Sequence, residues 1–122
     1  MISGIGIDIT EIARIKQAQI RHPKFAERVL TANEKAIFEE LADQRRFEFL
    51  AGRFSAKESF SKAYGTGISR FVSFQDLEIL IDPQNGKPRI EKYPLASRLR
   101  AFISISHTDS LVMTEVILEK KL

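Results

Sequence analysis

The chain has 122 residues and a formal net charge of +3, with 43% hydrophobic and 29% charged residues, which is the make-up of a soluble, globular, single-domain protein whose small core gains from oligomerisation. Without a cysteine it has no disulfide, thiolate metal site or cysteine nucleophile. Its first residues, Met1 to Gly6, lack the basic flank and long apolar run of a signal peptide or membrane span, so the expectation is a cytoplasmic protein with no membrane association.

Residues 2–9 alternate, with Ile5, Ile7 and Ile9 on one side and Gly4, Gly6 and Asp8 on the other. This is a strand with one bulky and one bare face, and bare glycine lets a backbone or a ligand approach closely. Thr10 is the expected N-cap of a helix running to Arg21, and Pro23 opens a short helical stretch to Leu30. From Ile12 to Leu30 the cations are Arg14, Lys16, Arg21, Lys24 and Arg28, against the single anion Glu27. Such a segment is either a solvated helix face or a docking surface for an acidic partner.

Thr31-Ala32-Asn33-Glu34 matches a capping box and opens a third helix, ending near Ala42 or Asp43. A long helix follows from Gln44 to Tyr64, with Gly65 as its stop. Phe74 to Asp82 alternates like a strand, and Asn85-Gly86 before Pro88-Arg89-Ile90 signals a hairpin with a tight turn. Pro94 to Arg100 reads as a short helix, and Phe102–His107 and Leu111–Glu119 as two more strands. The fold class is α+β, a mostly antiparallel sheet with one long and several short helices.

Glu58 extends the Phe47, Leu50, Phe54 stripe of the long helix, where an apolar residue belongs. It is either an exposed i,i+4 partner of Lys62 or part of a site. Asp8 likewise either caps the next helix or faces a ligand. Taken together, two carboxylates from separate elements with no His or Cys cluster suit Mg²⁺, which keeps waters and completes its shell with phosphates. Lys62 would then neutralise phosphate as a point charge. Gly65-Thr66-Gly67 offers backbone N–H groups and a hydroxyl to the polar part of a ligand. His107-Thr108 at a strand end can hold a phosphate or do nothing. No P-loop and no GxSxG occur. Phe47, Phe54, Phe60, Phe74 and Phe102 sit at core-like positions, unlike the exposed aromatics of a nucleic-acid platform.

Gly4 to Glu11, Phe49 to Ala63, Gly65 to Ile68, Phe74 to Glu78, Asn85 to Pro88 and Ser104 to Thr108 together resemble the small bacterial holo-(acyl-carrier-protein) synthase family, the 4′-phosphopantetheinyl transferases. The resemblance covers nearly the whole chain, departing at Ser55, where the family often has Ala, and at Lys24, where a close relative carries Arg. It implies transfer of 4′-phosphopantetheine from coenzyme A to a serine of apo acyl carrier protein, with Mg²⁺, releasing 3′,5′-ADP, in support of fatty acid biosynthesis. By position it makes Asp8 and Glu58 the metal ligands and assigns Lys62 to the diphosphate. Arg53, His107 and Thr108 take the 3′-phosphate; Gly65, Thr66 and Gly67 run along the coenzyme; Asn85, Gly86 and Pro88 border the adenine. Arg14, Arg21, Lys24, Phe25 and Arg28 match the carrier-protein surface, and the family's homotrimer puts each site between subunits. A nucleic-acid module and a non-catalytic coenzyme A-binding regulator are the competing readings; exposed basic–aromatic pairs are too few for the first, and the intact Asp8, Glu58 and Lys62 disfavour the second.

Overall fold

The computed structural model describes residues 1–122. In chain order the elements are strand β1 (Ile2–Glu11), helices α1 (Ile12–Arg21), α2 (Phe25–Val29), α3 (Ala32–Glu40) and α4 (Asp43–Tyr64), a 3₁₀ turn at Phe74–Asp76, then β2 (Glu78–Ile81), β3 (Pro88–Lys92), β4 (Leu99–His107) and β5 (Leu111–Lys120). The fold is α+β. One antiparallel sheet has the order β1-β5-β4, and β2 and β3 form a separate antiparallel pair.

Helix α4 is the axis of the molecule. Ala56 and Phe60 face a core made with Val116 and Leu118 of β5 and Ile79 and Ile90 of the β2–β3 pair. Leu50 and Ala51, nearer its start, join Ile12, Ile15, Val29 and Phe38 in a second core. Phe60 is wholly buried, which makes it worth about 3–5 kcal/mol against alanine.

The bare face of β1 receives this helix. A Cβ at Gly6 would lie 1.9 Å from the Ser59 carbonyl oxygen, and one at Gly4 would lie 1.9 Å from that of Ala63. The two glycines therefore admit a helix backbone, and the helix turn carrying Glu58 and Lys62 is drawn down onto Asp8. Thr31 caps α3 in a complete capping box with Glu34, as expected, and Gly65 ends α4 at φ 99°.

Five local expectations change. Thr10 is not an N-cap: β1 continues to Glu11, which caps α1 without a side-chain bond. Phe74–Asp76 is a 3₁₀ turn because Ser73 and Asp76 close their own capping box there. The hairpin turn is wider than a two-residue one, with the Asp82 N–H donating to Lys87 O at 2.8 Å. Pro94 to Arg100 forms turns rather than a helix, with Leu95 at φ 59°; Leu99 and Arg100 pair instead with Lys120 and Glu119 of β5. Phe102, expected in the core, is 52% exposed on the outward face of β4.

Candidate active site

Asp8 lies where β1 crosses α4. Its Oδ2 accepts from the Thr10 hydroxyl at 2.6 Å, so the threonine orients the carboxylate instead of capping a helix. Lys62 places its ammonium 3.3 Å from Asp8 Oδ1 and donates to the Ile7 carbonyl at 2.9 Å. The lysine thus bridges across to the strand, and the i,i+4 pair with Glu58 does not form. Asp8 is 14% exposed and Lys62 50% exposed, so the ammonium is free to change partners. Beneath them a buried hydroxyl cluster joins α4 to β5: the Ser55 and Ser59 hydroxyls lie 2.9 and 2.6 Å from that of Thr114.

Glu58 is half-buried on the same helix face. Burial pushes its carboxyl above the ordinary value, the Asp8 charge raises it further, and Lys62 opposes both. A carboxylate held near a second carboxylate is relieved by a cation. Asp8, Glu58 and Lys62 are therefore one cluster.

Arg53 lies elsewhere. It precedes Glu58 by five residues, about 140° around the helix, and its Nε donates to the Ile79 carbonyl at 3.0 Å. Its guanidinium stacks 4.3 Å from the Phe49 ring centroid. Burial lowers its pKa to about 10, with Glu34 pulling the other way, so it stays cationic at neutral pH. A cleft of about 410 Å³ is walled by Arg53, Phe49, Gly52, Ile105 and His107. Arg53 and His107 are thus brought together; Thr108 follows at the turn, its hydroxyl accepting from the N–H groups of Ser110 and Leu111. A second cleft of about 620 Å³ lies between the hairpin, with Asn85 and Pro88, and Phe102 and Ser104 of β4; Gly86 stands at φ 72° in the same turn.

One expectation about Gly65-Thr66-Gly67 changes. All three N–H groups point back to Ser61 O, at 3.0, 3.2 and 3.2 Å, and the Thr66 hydroxyl donates to Gly67 O. The turn caps α4 with the donors that were to face a ligand. What it offers outward is its exposed surface.

On α1 and α2 the side chains of Arg14, Arg21, Lys24 and Arg28 are exposed, and none belongs to any of the seven ion pairs. Arg14 and Arg21 border one groove along α1. Phe25 stands in a row with Phe54 and Phe74, ring centroids 5.9 and 5.7 Å apart. Phe54 and Phe74, expected in the core, are half-buried and pack against the second core along with Phe25. Two further charged residues are wholly buried, Lys57 and Glu34; the sequence pattern shows Glu34 only as a capping residue and gives Lys57 no role. The signal for Lys57 was its place at i±3 and i±7 from Leu50, Phe54, Phe60 and Tyr64 on α4.

A crossing of strand and helix that presents two carboxylates and an exposed lysine, in a molecule that also carries a cationic cleft, fits the class of enzymes that handle phosphate esters. Residues 4–115 match the model of the 4′-phosphopantetheinyl transferase superfamily. The chain is 61% identical to a holo-[acyl-carrier-protein] synthase of Ligilactobacillus salivarius over 98% of this chain and 89% of that one. It is 52% identical to that of Bacillus subtilis over 98% of both chains. Its structure superposes on a holo-(acyl-carrier-protein) synthase from Bacillus anthracis, crystallised in complex with CoA (3′,5′-ADP), with TM-score 0.89 and 44% identity over 99% of each chain. The chain belongs to the holo-(acyl-carrier-protein) synthase family of 4′-phosphopantetheinyl transferases. It is an enzyme of phosphopantetheinyl transfer.

Proposed function

We propose that the chain, a single domain over residues 1–122, transfers 4′-phosphopantetheine from coenzyme A to a serine of an apo acyl carrier protein in the cytoplasm, in a Mg²⁺-dependent step of fatty acid biosynthesis. The observation that carries this reading is the Asp8–Glu58–Lys62 cluster at the β1–α4 crossing. The Bacillus anthracis relative, crystallised with CoA (3′,5′-ADP), supports coenzyme A as the ligand.

The donors fit Mg²⁺. They are carboxylate oxygens, and no group of three or more His, Cys, Asp or Glu side chains gathers here, which suits a cation that keeps water and takes phosphate oxygens. Asp8 and Glu58 would hold it, and when bound it supplies positive charge against the diphosphate. The serine hydroxyl attacks the β-phosphorus, a new P–O bond forms, and the bond from the β-phosphorus to the bridging oxygen breaks, releasing 3′,5′-ADP. The hydroxyl proton goes to a base at the same crossing. Lys62, released from Asp8, neutralises charge on the leaving phosphate; such transfers need positioning and charge stabilisation above all. Arg53, His107 and Thr108 hold the 3′-phosphate, Gly65, Thr66 and Gly67 run along the coenzyme, and Asn85, Gly86 and Pro88 border the adenine.

The reading includes a homotrimer. Asp8 on β1 and His107 on β4 lie on opposite edges of the three-stranded sheet, about 10 Å apart across two strand spacings. One copy therefore presents two half-sites facing different ways. Ile5, Ile7, Ile9, Met113 and Phe102 form an exposed apolar face across the sheet, the kind of surface that marks an interaction site, and a second copy covering it would join the half-sites. The unpaired cations of α1 and α2 with Phe25 favour an acidic protein partner. No helix is long and apolar enough to cross a membrane.

Incubation with apo carrier protein, coenzyme A and Mg²⁺ should add the mass of one phosphopantetheine to the carrier. An unmodified carrier after long incubation refutes the reading. Glu58→Ala should abolish the transfer.

A further inference from the structure

Lys57 and Glu34 are wholly buried and unused by the reaction. The Lys57 ammonium donates to Glu34 Oε1 at 2.6 Å, to Val29 O at 2.6 Å and to Phe74 O at 3.1 Å, so its three protons are all engaged. Glu34 Oε1 also accepts from the Thr31 N–H at 2.9 Å. Its other oxygen, Oε2, is kept for one donor, the Ile79 N–H at 2.7 Å. Ile79 is the residue whose carbonyl accepts from Arg53 Nε at 3.0 Å.

A buried ion pair adds little stability over an apolar pair of the same volume. What this one adds is placement. Lys57 fixes where the Glu34 carboxylate sits, the carboxylate fixes Ile79 in β2, and the Ile79 carbonyl fixes the guanidinium against the Phe49 ring. The Ile79 carbonyl is the one protein acceptor that the guanidinium engages, which leaves its terminal nitrogens for a ligand in the cleft.

We propose that Glu34, locked by Lys57, is a positioning residue that aims Arg53 through Ile79, and that it thereby sets the enzyme's preference for a coenzyme bearing a 3′-phosphate. This rests on the reading that Arg53 binds that phosphate. Glu34 makes no contact with the coenzyme; it reaches Arg53 through Ile79, and its charge favours the charged guanidinium as well.

The test is calorimetric binding of coenzyme A and of dephospho-coenzyme A, which lacks the 3′-phosphate, with Mg²⁺ present throughout. Glu34→Gln has one oxygen, which stays with the Lys57 ammonium, so its amide faces the Ile79 N–H donor to donor. Glu34→Leu with Lys57→Met removes the acceptor without leaving a charge buried alone, and decides the matter if Glu34→Gln fails to fold. Arg53→Gln is the control. In a variant that keeps the wild-type circular dichroism, the affinity ratio of coenzyme A to dephospho-coenzyme A should fall about tenfold while the affinity for dephospho-coenzyme A holds, the size of one lost hydrogen bond to a charged group. A folded variant with the wild-type ratio, while Arg53→Gln collapses it, overturns the inference; equal weakening of both ligands, the mark of a purely structural role, does the same. If Arg53→Gln itself leaves the ratio intact, the assignment of Arg53 falls, and the inference with it.

Discussion

Lys57 and Lys62 lie five residues apart on one helix, each against a carboxylate from another element. Lys57 and Glu34 have no exposed side-chain surface and meet at 2.6 Å; Lys62 and Asp8 are 50% and 14% exposed and meet at 3.3 Å. Burial lowers the Lys57 pKa, with Glu34 raising it in opposition, yet the ammonium keeps three acceptors in the interior. Lys62 has two acceptors, Ile7 O and Asp8 Oδ1, and open solvent beside it. A cation that holds three elements together must have no alternative partner. A cation that serves a reaction must have one. The same residue types do both because Lys62 reaches the edge strand β1 with solvent beside it, while the elements around Lys57 enclose it.

The strongest way to break the contrast is Lys57→Met, which leaves the Glu34 carboxylate buried without a counter-charge. It should destabilise the fold by about 3–5 kcal/mol, read from the denaturant midpoint; a loss under about 1 kcal/mol would show that the pair is not the clamp its geometry describes. Lys62→Met should change stability by less than about 1 kcal/mol, as for an exposed pair, and yet slow transfer to the carrier about 10²–10³-fold, the size of a lost donor to developing charge. Were its stability to fall as far as that of Lys57→Met, the two lysines would not differ in kind.

A weaker effect should come from the basic face. Arg14→Glu with Arg21→Glu should raise KM for an acidic carrier on the order of tenfold and leave kcat unchanged, because exposed charges steer encounter. The wild-type KM should rise with salt and that of the variant should not. A change confined to kcat would move these arginines from docking to chemistry.

The division between the two lysines also marks what a sequence discloses. Asp8 and Glu58 were legible because each violates a local pattern, one beside glycines on a strand and the other on an apolar stripe. The Thr31–Glu34 capping box was legible because it matches a local pattern written within four residues. The second task of Glu34 was not, since Lys57 and Ile79 stand 23 and 45 residues away and meet it only after three elements close around α4. Phe102 shows the converse failure. Its alternation with Ala101 and Ile103 was plain, but which face of β4 turned inward depended on α4 lying on the opposite side. Pro94 to Arg100 has helical spacing of Leu95 and Leu99, and pairing with β5 outweighs it.

The smallest effect, and the sharpest probe of the exposed pair, is the titration of Glu58 in the metal-free protein. Its carboxyl is raised from the ordinary 4.5 first by burial and then by Asp8. A carboxyl raised on folding binds its proton more tightly in the native state, so its contribution to stability is complete below the unfolded value and is lost as pH rises through the native one. Asp8→Asn removes the second cause and leaves the first. It also frees Lys62, whose charge already lowers this carboxyl. Both changes act downward, so Glu58 should titrate at lower pH than in the wild type while staying above 4.5 through burial, and the stability lost with rising pH should shrink. Carbon NMR of a glutamate-labelled sample reads this directly. A Glu58 curve that stays put or moves up in Asp8→Asn would mean that the two carboxylates do not share a field, and with it would go the argument that they hold one cation between them.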